Sequence, residues 1–99
     1  MIEGHFIVIE GIDGAGTTTQ VQMLGKALRK RGLPVHATRE PSDGPIGTMI
    51  RQVLQGRIVV PGVSGPRAPS WATMALLFAA DRVDHLDAEI IPNLLDGVT

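Results

Sequence analysis

The chain has 99 residues, 43% hydrophobic and 19% charged, which suits one soluble globular domain with a thin core and excludes a disordered chain. A formal net charge of -1 gives no basic field for capturing a nucleic-acid backbone, so nucleic acid is not an expected partner and any phosphate site has to be local. The lack of cysteine excludes a disulfide framework, a thiolate metal site and a cysteine nucleophile together, and fits a reducing cytoplasm.

The opening MIEGHFIVIEG is apolar over too short a run, and lacks a basic leader, for a signal peptide or a membrane span, so a cytoplasmic protein is expected. His5 to Glu10 contains Phe6, Ile7, Val8 and Ile9 without a break, which predicts a first strand buried on both faces of a parallel sheet. Gly11 to Gly16 is a glycine-punctuated turn. After it Val21, Leu24 and Leu28 recur at helical spacing until Lys30, Arg31 and Gly32 supply basic last-turn residues and a stop.

Leu33 to Thr38 predicts a second short strand, and Glu40-Pro41-Ser42-Asp43-Gly44-Pro45 a turn-rich connection. Ile46 to Gln55 then carries Ile46, Met49, Ile50, Val53 and Leu54 on one helical face. The order is βαβα. Gly56 to Pro69 holds three prolines and three glycines, so a loop is favoured there over a strand at Arg57-Ile58-Val59-Val60. Trp71 to Leu86 has Trp71, Met74, Leu77 and Phe78 at helical spacing and continues to Ile90, with Pro92 opening another helical turn toward Leu95. Gly97-Val98-Thr99 has the pattern of a turn followed by the opening of another buried strand. No internal repeat or linker marks a second domain, so residues 1–99 are expected to be part of a single domain.

Gly11-Ile12-Asp13-Gly14-Ala15-Gly16-Thr17-Thr18 matches seven of the eight positions of G-x-x-x-x-G-K-[ST], with Thr17 where the lysine belongs. Its place between an apolar run and an amphipathic helix is where backbone amides and the helix dipole favour an anion. The amides of Gly14 to Thr18 are expected to hold nucleotide phosphates, with Gly11, Asp13 and Thr19 completing the ATP-binding set and the Thr18 hydroxyl as the Mg²⁺ ligand. A Rossmann loop is the weaker reading, because Thr19 stands where the third glycine belongs. Thr17 can hydrogen-bond but carries no charge. Lys26 cannot replace the lysine, since nine residues of helix put it roughly 13 Å further along the axis. Either another cation enters the site, or phosphoryl transfer is slow or absent.

Three segments together resemble the thymidylate kinase family: Phe6-Ile7-Val8-Ile9-Glu10-Gly11-Ile12-Asp13-Gly14-Ala15-Gly16, Thr38-Arg39-Glu40-Pro41, and Leu76-Leu77-Phe78-Ala79-Ala80-Asp81-Arg82. The resemblance runs from Phe6 to Thr99 and covers about the first half of such an enzyme. It implies an α/β fold of P-loop NTPase type, a parallel sheet flanked by helices, with the strand opening at Val98 inserted between the first two and not completed within the sequence. It also implies Asp13 near the sugar 3′-hydroxyl of the monophosphate, Arg51 on the acceptor phosphate, Phe78 stacked on thymine, Arg82 donating to a base carbonyl, and Arg39 and Glu40 bordering the pocket. Ser42-Asp43-Gly44 departs from the family's usual glycine pair after Glu-Pro.

The activity so implied is transfer of the ATP γ-phosphoryl group to dTMP with Mg²⁺, by an enzyme that pairs as a homodimer; the family's later Asp-Arg-Tyr-like strand and arginine-bearing lid lie outside the sequence. The alternatives are a nucleotide-binding module without turnover, motivated by Thr17, and an inert fragment, motivated by the missing strand. Unpaired strand edges and uncovered helix faces predict a segment of marginal stability.

Overall fold

The computed structural model describes residues 4–12 and 14–99. Its elements are α1 (Thr17–Lys30), α2 (Pro45–Leu54), α3 (Trp71–His85), a π-helical turn (Leu86–Ile90) and α4 (Ile91–Leu95). The chain divides into two compact units, one formed by residues 1–38 and 89–99, the other by residues 39–88.

In the first unit, α1 starts at Gly16, whose φ of 85° puts it in the left-handed region that glycine enters without penalty. It ends where the sequence predicts. Gly32 at φ 83° donates its N–H to Arg29 O at 2.9 Å, and Leu33 N–H reaches Leu28 O at 3.2 Å, the paired bonds of a Schellman stop. The same device closes α2 through Gly56 and Arg57, bonded to Val53 O and Gln52 O, and α4 through Gly97 and Val98, bonded to Leu94 O and Asn93 O.

Among the described residues there is no strand, so the expected parallel sheet is not confirmed, and the one β-bridge is an isolated antiparallel pair, Val60 with Arg67, inside the predicted 56–69 loop. Phe6, Ile7 and Val8 are 57%, 50% and 59% exposed, where the sequence predicted a strand buried on both faces. The reason lies in the backbone. A buried strand needs successive ladder partners, whereas this run is bonded at its start, through Gly4 N–H to Leu94 O at 3.0 Å and His5 N–H to Thr99 Oγ1 at 3.3 Å. The second predicted strand is likewise irregular, but Thr99 N–H donates to Pro34 O at 3.0 Å and His36 N–H to Thr99 O at 2.9 Å. Those two bonds tie Thr99 to the residues on either side of Val35. Gly4 is pressed against the same terminus, since a Cβ there would lie 2.0 Å from Val98 O.

In the second unit, Pro45 opens α2 at its first position, where a missing N–H costs nothing, and the helix turns Gly47, Ile50 and Val53 inward. Ile50 is fully buried and Val53 7% exposed, whereas Met49 and Leu54, placed by the sequence on the same apolar face, are 43% and 64% exposed. α2 packs against α3. Ser70 caps α3, its hydroxyl accepting Thr73 N–H at 3.3 Å. The buried stripe of α3 starts with half-buried Met74 and Leu77 and continues through buried Asp81 and His85. The helical path then widens into the π turn ahead of Pro92, which has no N–H to continue the helical bonding. Asn93 Nδ2 donates to Glu89 O at 2.8 Å. Among the described residues no helix is long and apolar enough to cross a membrane.

Candidate nucleotide and acceptor site

The glycine loop belongs to the first unit. Gly14 and Gly16 have φ of 79° and 85°, and a Cβ on either would meet nothing within 4 Å, so these glycines serve backbone conformation and not close packing. Ala15 N–H closes the turn on Ile12 O at 3.0 Å. Gln20 N–H is bonded to Gly16 O at 3.0 Å, so the amides of Thr17, Thr18 and Thr19 precede that first i to i−4 bond. No side chain caps this end and its first turn holds no acidic residue. Such a terminus suits an anion. Thr18 and Thr19 are exposed and Thr17 is half-buried. Gly11 sits closely against the loop, its Cβ position 3.0 Å from both Ala15 Cβ and Thr17 Cγ2. Asp13, expected at the nucleotide sugar, lies outside the described residues. An anion such as a nucleotide phosphate fits these features; the exposed Thr18 hydroxyl is available as an oxygen ligand, and Thr17 carries no charge.

The second unit is organised around residues 39–44, which connect to α2 and are tied to both helices. Ser42 is 1% exposed and donates twice to Asp81 of α3: its hydroxyl to Oδ1 at 2.6 Å and its N–H to Oδ2 at 2.8 Å. Ser42 Oγ in turn accepts Gly44 N–H at 3.1 Å. From α2, Arg51 Nη1 donates to Pro41 O at 2.8 Å and Ser42 O at 2.7 Å. Its Nη2 lies 3.5 Å from Thr48 Oγ1 and 3.6 Å from Asp43 Oδ1. Asp43 also accepts Arg39 Nη2 at 3.2 Å, and these two side chains are 78% and 68% exposed. Glu40 is held from α3, where Arg82 donates Nε and Nη2 to Oε1, both at 3.1 Å, and His85 Nδ1 meets Oε2 at 3.0 Å.

Five residues predicted for the acceptor side, Arg39, Glu40, Arg51, Phe78 and Arg82, therefore belong to one unit; Arg39 and Glu40 lie in the 39–44 segment, and Arg51 and Arg82 are joined to it by polar contacts. Phe78 is 41% exposed and not a core residue, and Arg82, one helical turn on, has a 70% exposed side chain. Sequence reasoning missed Ser42, Asp81 and His85. Their signal was present, since Asp81 and His85 extend the Met74 and Leu77 spacing, and a polar residue on a buried stripe has to find a partner.

A glycine loop entering an uncapped helix is the arrangement of the phosphate-binding-loop class of proteins. Residues 9–99 match the family model described as thymidylate kinase. The chain is 41% identical to "Probable thymidylate kinase" of Pyrococcus horikoshii over 97% of its own length and 45% of that relative's. It is 43% identical to "Thymidylate kinase" of Pelotomaculum thermopropionicum, covering 97% of this chain and 41% of the relative, and 46% identical to "Probable thymidylate kinase" of Thermococcus kodakarensis, covering 93% and 44%. The chain thus spans less than half the length of these curated relatives. It belongs to the thymidylate kinase family, whose membership implies the P-loop NTPase fold class.

Proposed function

We propose that this chain is the part of a cytoplasmic, homodimeric kinase, with its two units in one catalytic domain, that binds the donor phosphates and dTMP for transfer of the ATP γ-phosphoryl group, giving dTDP. The bond from the γ-phosphorus to the β,γ-bridging oxygen breaks, a bond to a dTMP phosphate oxygen forms, and ADP leaves, with no covalent enzyme intermediate. The glycine loop and the first-turn threonines position ATP, with Asp13 toward the monophosphate sugar. Mg²⁺, when bound at the Thr18 hydroxyl, neutralises charge on the donor oxygens. Arg51 holds the acceptor phosphate, Phe78 stacks on the base, Arg82 donates to it, and Arg39 and Glu40 border the pocket.

The observation that supports this reading is Arg51, whose Nη1 is fixed by two carbonyls at 2.8 and 2.7 Å while Nη2 lies beside an exposed carboxylate that an anion can replace. Thr17 favours a second reading, nucleotide binding without turnover, because a neutral hydroxyl does not offset phosphoryl charge. The test is dTDP formation from dTMP and Mg·ATP by the wild type and Thr17→Lys. Product from the wild type supports the kinase; product from Thr17→Lys alone supports the binding module; none from either, with both folded and ATP bound, contradicts transfer.

A further inference from the structure

Ser42 and Asp81 are each 1% exposed, and their two hydrogen bonds cross 39 residues of sequence to join the 39–44 segment to α3. Both carboxylate oxygens are committed to Ser42, one to its N–H and one to its O–H. The carbonyl of that same residue, with that of Pro41, takes the two Nη1 hydrogens of Arg51. α2 closes the arrangement from the other side: a Cβ at Gly47 would lie 2.0 Å from Ser42 O, 2.5 Å from Ser42 N and 2.7 Å from Ser42 C. Ser42 is thus clamped between a buried carboxylate and a helix backbone, and the peptide it carries forms half of the cradle that orients the guanidinium.

We propose that Asp81 is a positioning residue for acceptor-phosphate binding: through Ser42 it fixes the two carbonyls that hold Arg51 Nη1, so that Nη2 of the planar guanidinium is presented to the phosphate of a nucleoside monophosphate. This rests on the reading of Arg51 as the acceptor-phosphate arginine. Asp81 touches no substrate. Its effect runs through orientation, which matters for a guanidinium because the planar fork has to align with the anion it binds, unlike a point charge. The Ser42 hydroxyl has a distinct part: it pairs one Asp81 oxygen and accepts Gly44 N–H, so its loss leaves a buried carboxylate oxygen and a part-buried N–H without that partner while the Ser42 N–H bond to Asp81 remains.

The test compares binding of dTMP and thymidine by calorimetric titration, because the ratio of the two dissociation constants isolates the contribution of the phosphate. Asp81→Asn leaves one amide oxygen where two carboxylate oxygens each accept a Ser42 donor, so the Ser42 N–H and O–H are no longer both accepted in place; Ser42→Ala removes the hydroxyl and serves if the first variant does not fold. Folding is checked by the amide spectrum, and the Arg51 side-chain nitrogen resonances report its orientation. The expected result is a fall in the preference for dTMP over thymidine of about tenfold in Asp81→Asn and severalfold in Ser42→Ala, with thymidine affinity within about twofold of wild type. An unchanged preference in folded variants, or a parallel loss of both ligands, overturns the proposal. A wild type that binds thymidine as tightly as dTMP, or a preference for dTMP that survives Arg51→Ala, instead removes the reading of Arg51 on which the proposal stands.

Discussion

The His85 imidazole, with a side chain 2% exposed, meets Glu40 Oε2 at 3.0 Å, and the other oxygen of that carboxylate takes both donors of Arg82. An ionised carboxylate accepts only, so the ring nitrogen facing it donates. Glu40→Gln places an N–H₂ group against one of these two donors. The expected outcome is a loss of about 2 kcal/mol in unfolding free energy, dominated by the buried His85 side. Chemical denaturation measures it, and a change under about 0.5 kcal/mol would show that the His85 contact contributes little.

Three glycine variants should separate backbone freedom from close packing. Gly25→Ala in α1 is expected to stabilise by about 0.5–1 kcal/mol, because its Cβ would meet side-chain atoms no closer than 3.5 Å and helical alanine is less costly than glycine. Gly47→Ala drives a methyl to 2.0 Å from Ser42 O and is expected to cost about 3 kcal/mol. Gly4→Ala meets Val98 O at the same distance, and should speed amide exchange at His36 and Thr99. Thermal denaturation and hydrogen exchange check the three; equal effects at Gly25 and Gly47 would contradict the packing described.

Arg82 makes its contact with Glu40 from a largely exposed side chain, so the contact is expected to add little to stability, and the proposed base-site role predicts an effect on ligand binding instead. Arg82→Lys keeps the charge and loses the fork of Nε and Nη2. A stability change under about 0.5 kcal/mol is expected. dTMP affinity, followed by titration, should fall by roughly tenfold, the scale of one charge-assisted bond. Retained affinity would remove Arg82 from the base site.

How far the sequence carried varied with the range of the interaction. The α1 stop was legible because Lys30, Arg31 and Gly32 encode a local terminus, and Pro92 marks a helix start for the same reason, whereas Pro45, read as the end of a turn, is the first residue of α2. Arg51 and Arg82 were singled out by motif position, but their partners at Pro41, Ser42 and Glu40 were not, since contacts between elements nine to forty-two residues apart leave no periodic trace. Asp81 was read as part of a motif and not as a buried hub, although its place on the inward stripe of α3 was available. The strand at Phe6–Ile9 was predicted from apolarity alone. Apolarity marks a segment able to enter a sheet, while the sheet itself depends on ladder partners elsewhere in the chain.

The central claim, that the 39–88 unit carries a thymidine monophosphate site centred on Arg51, is tested most directly by titrating dTMP against the wild type and Arg51→Ala, with dCMP as the comparison ligand. Saturable dTMP binding is expected, with dCMP weaker by about tenfold and most dTMP affinity lost in a folded Arg51→Ala variant. A folded wild type that does not bind dTMP, or binding that survives the loss of Arg51, would contradict it.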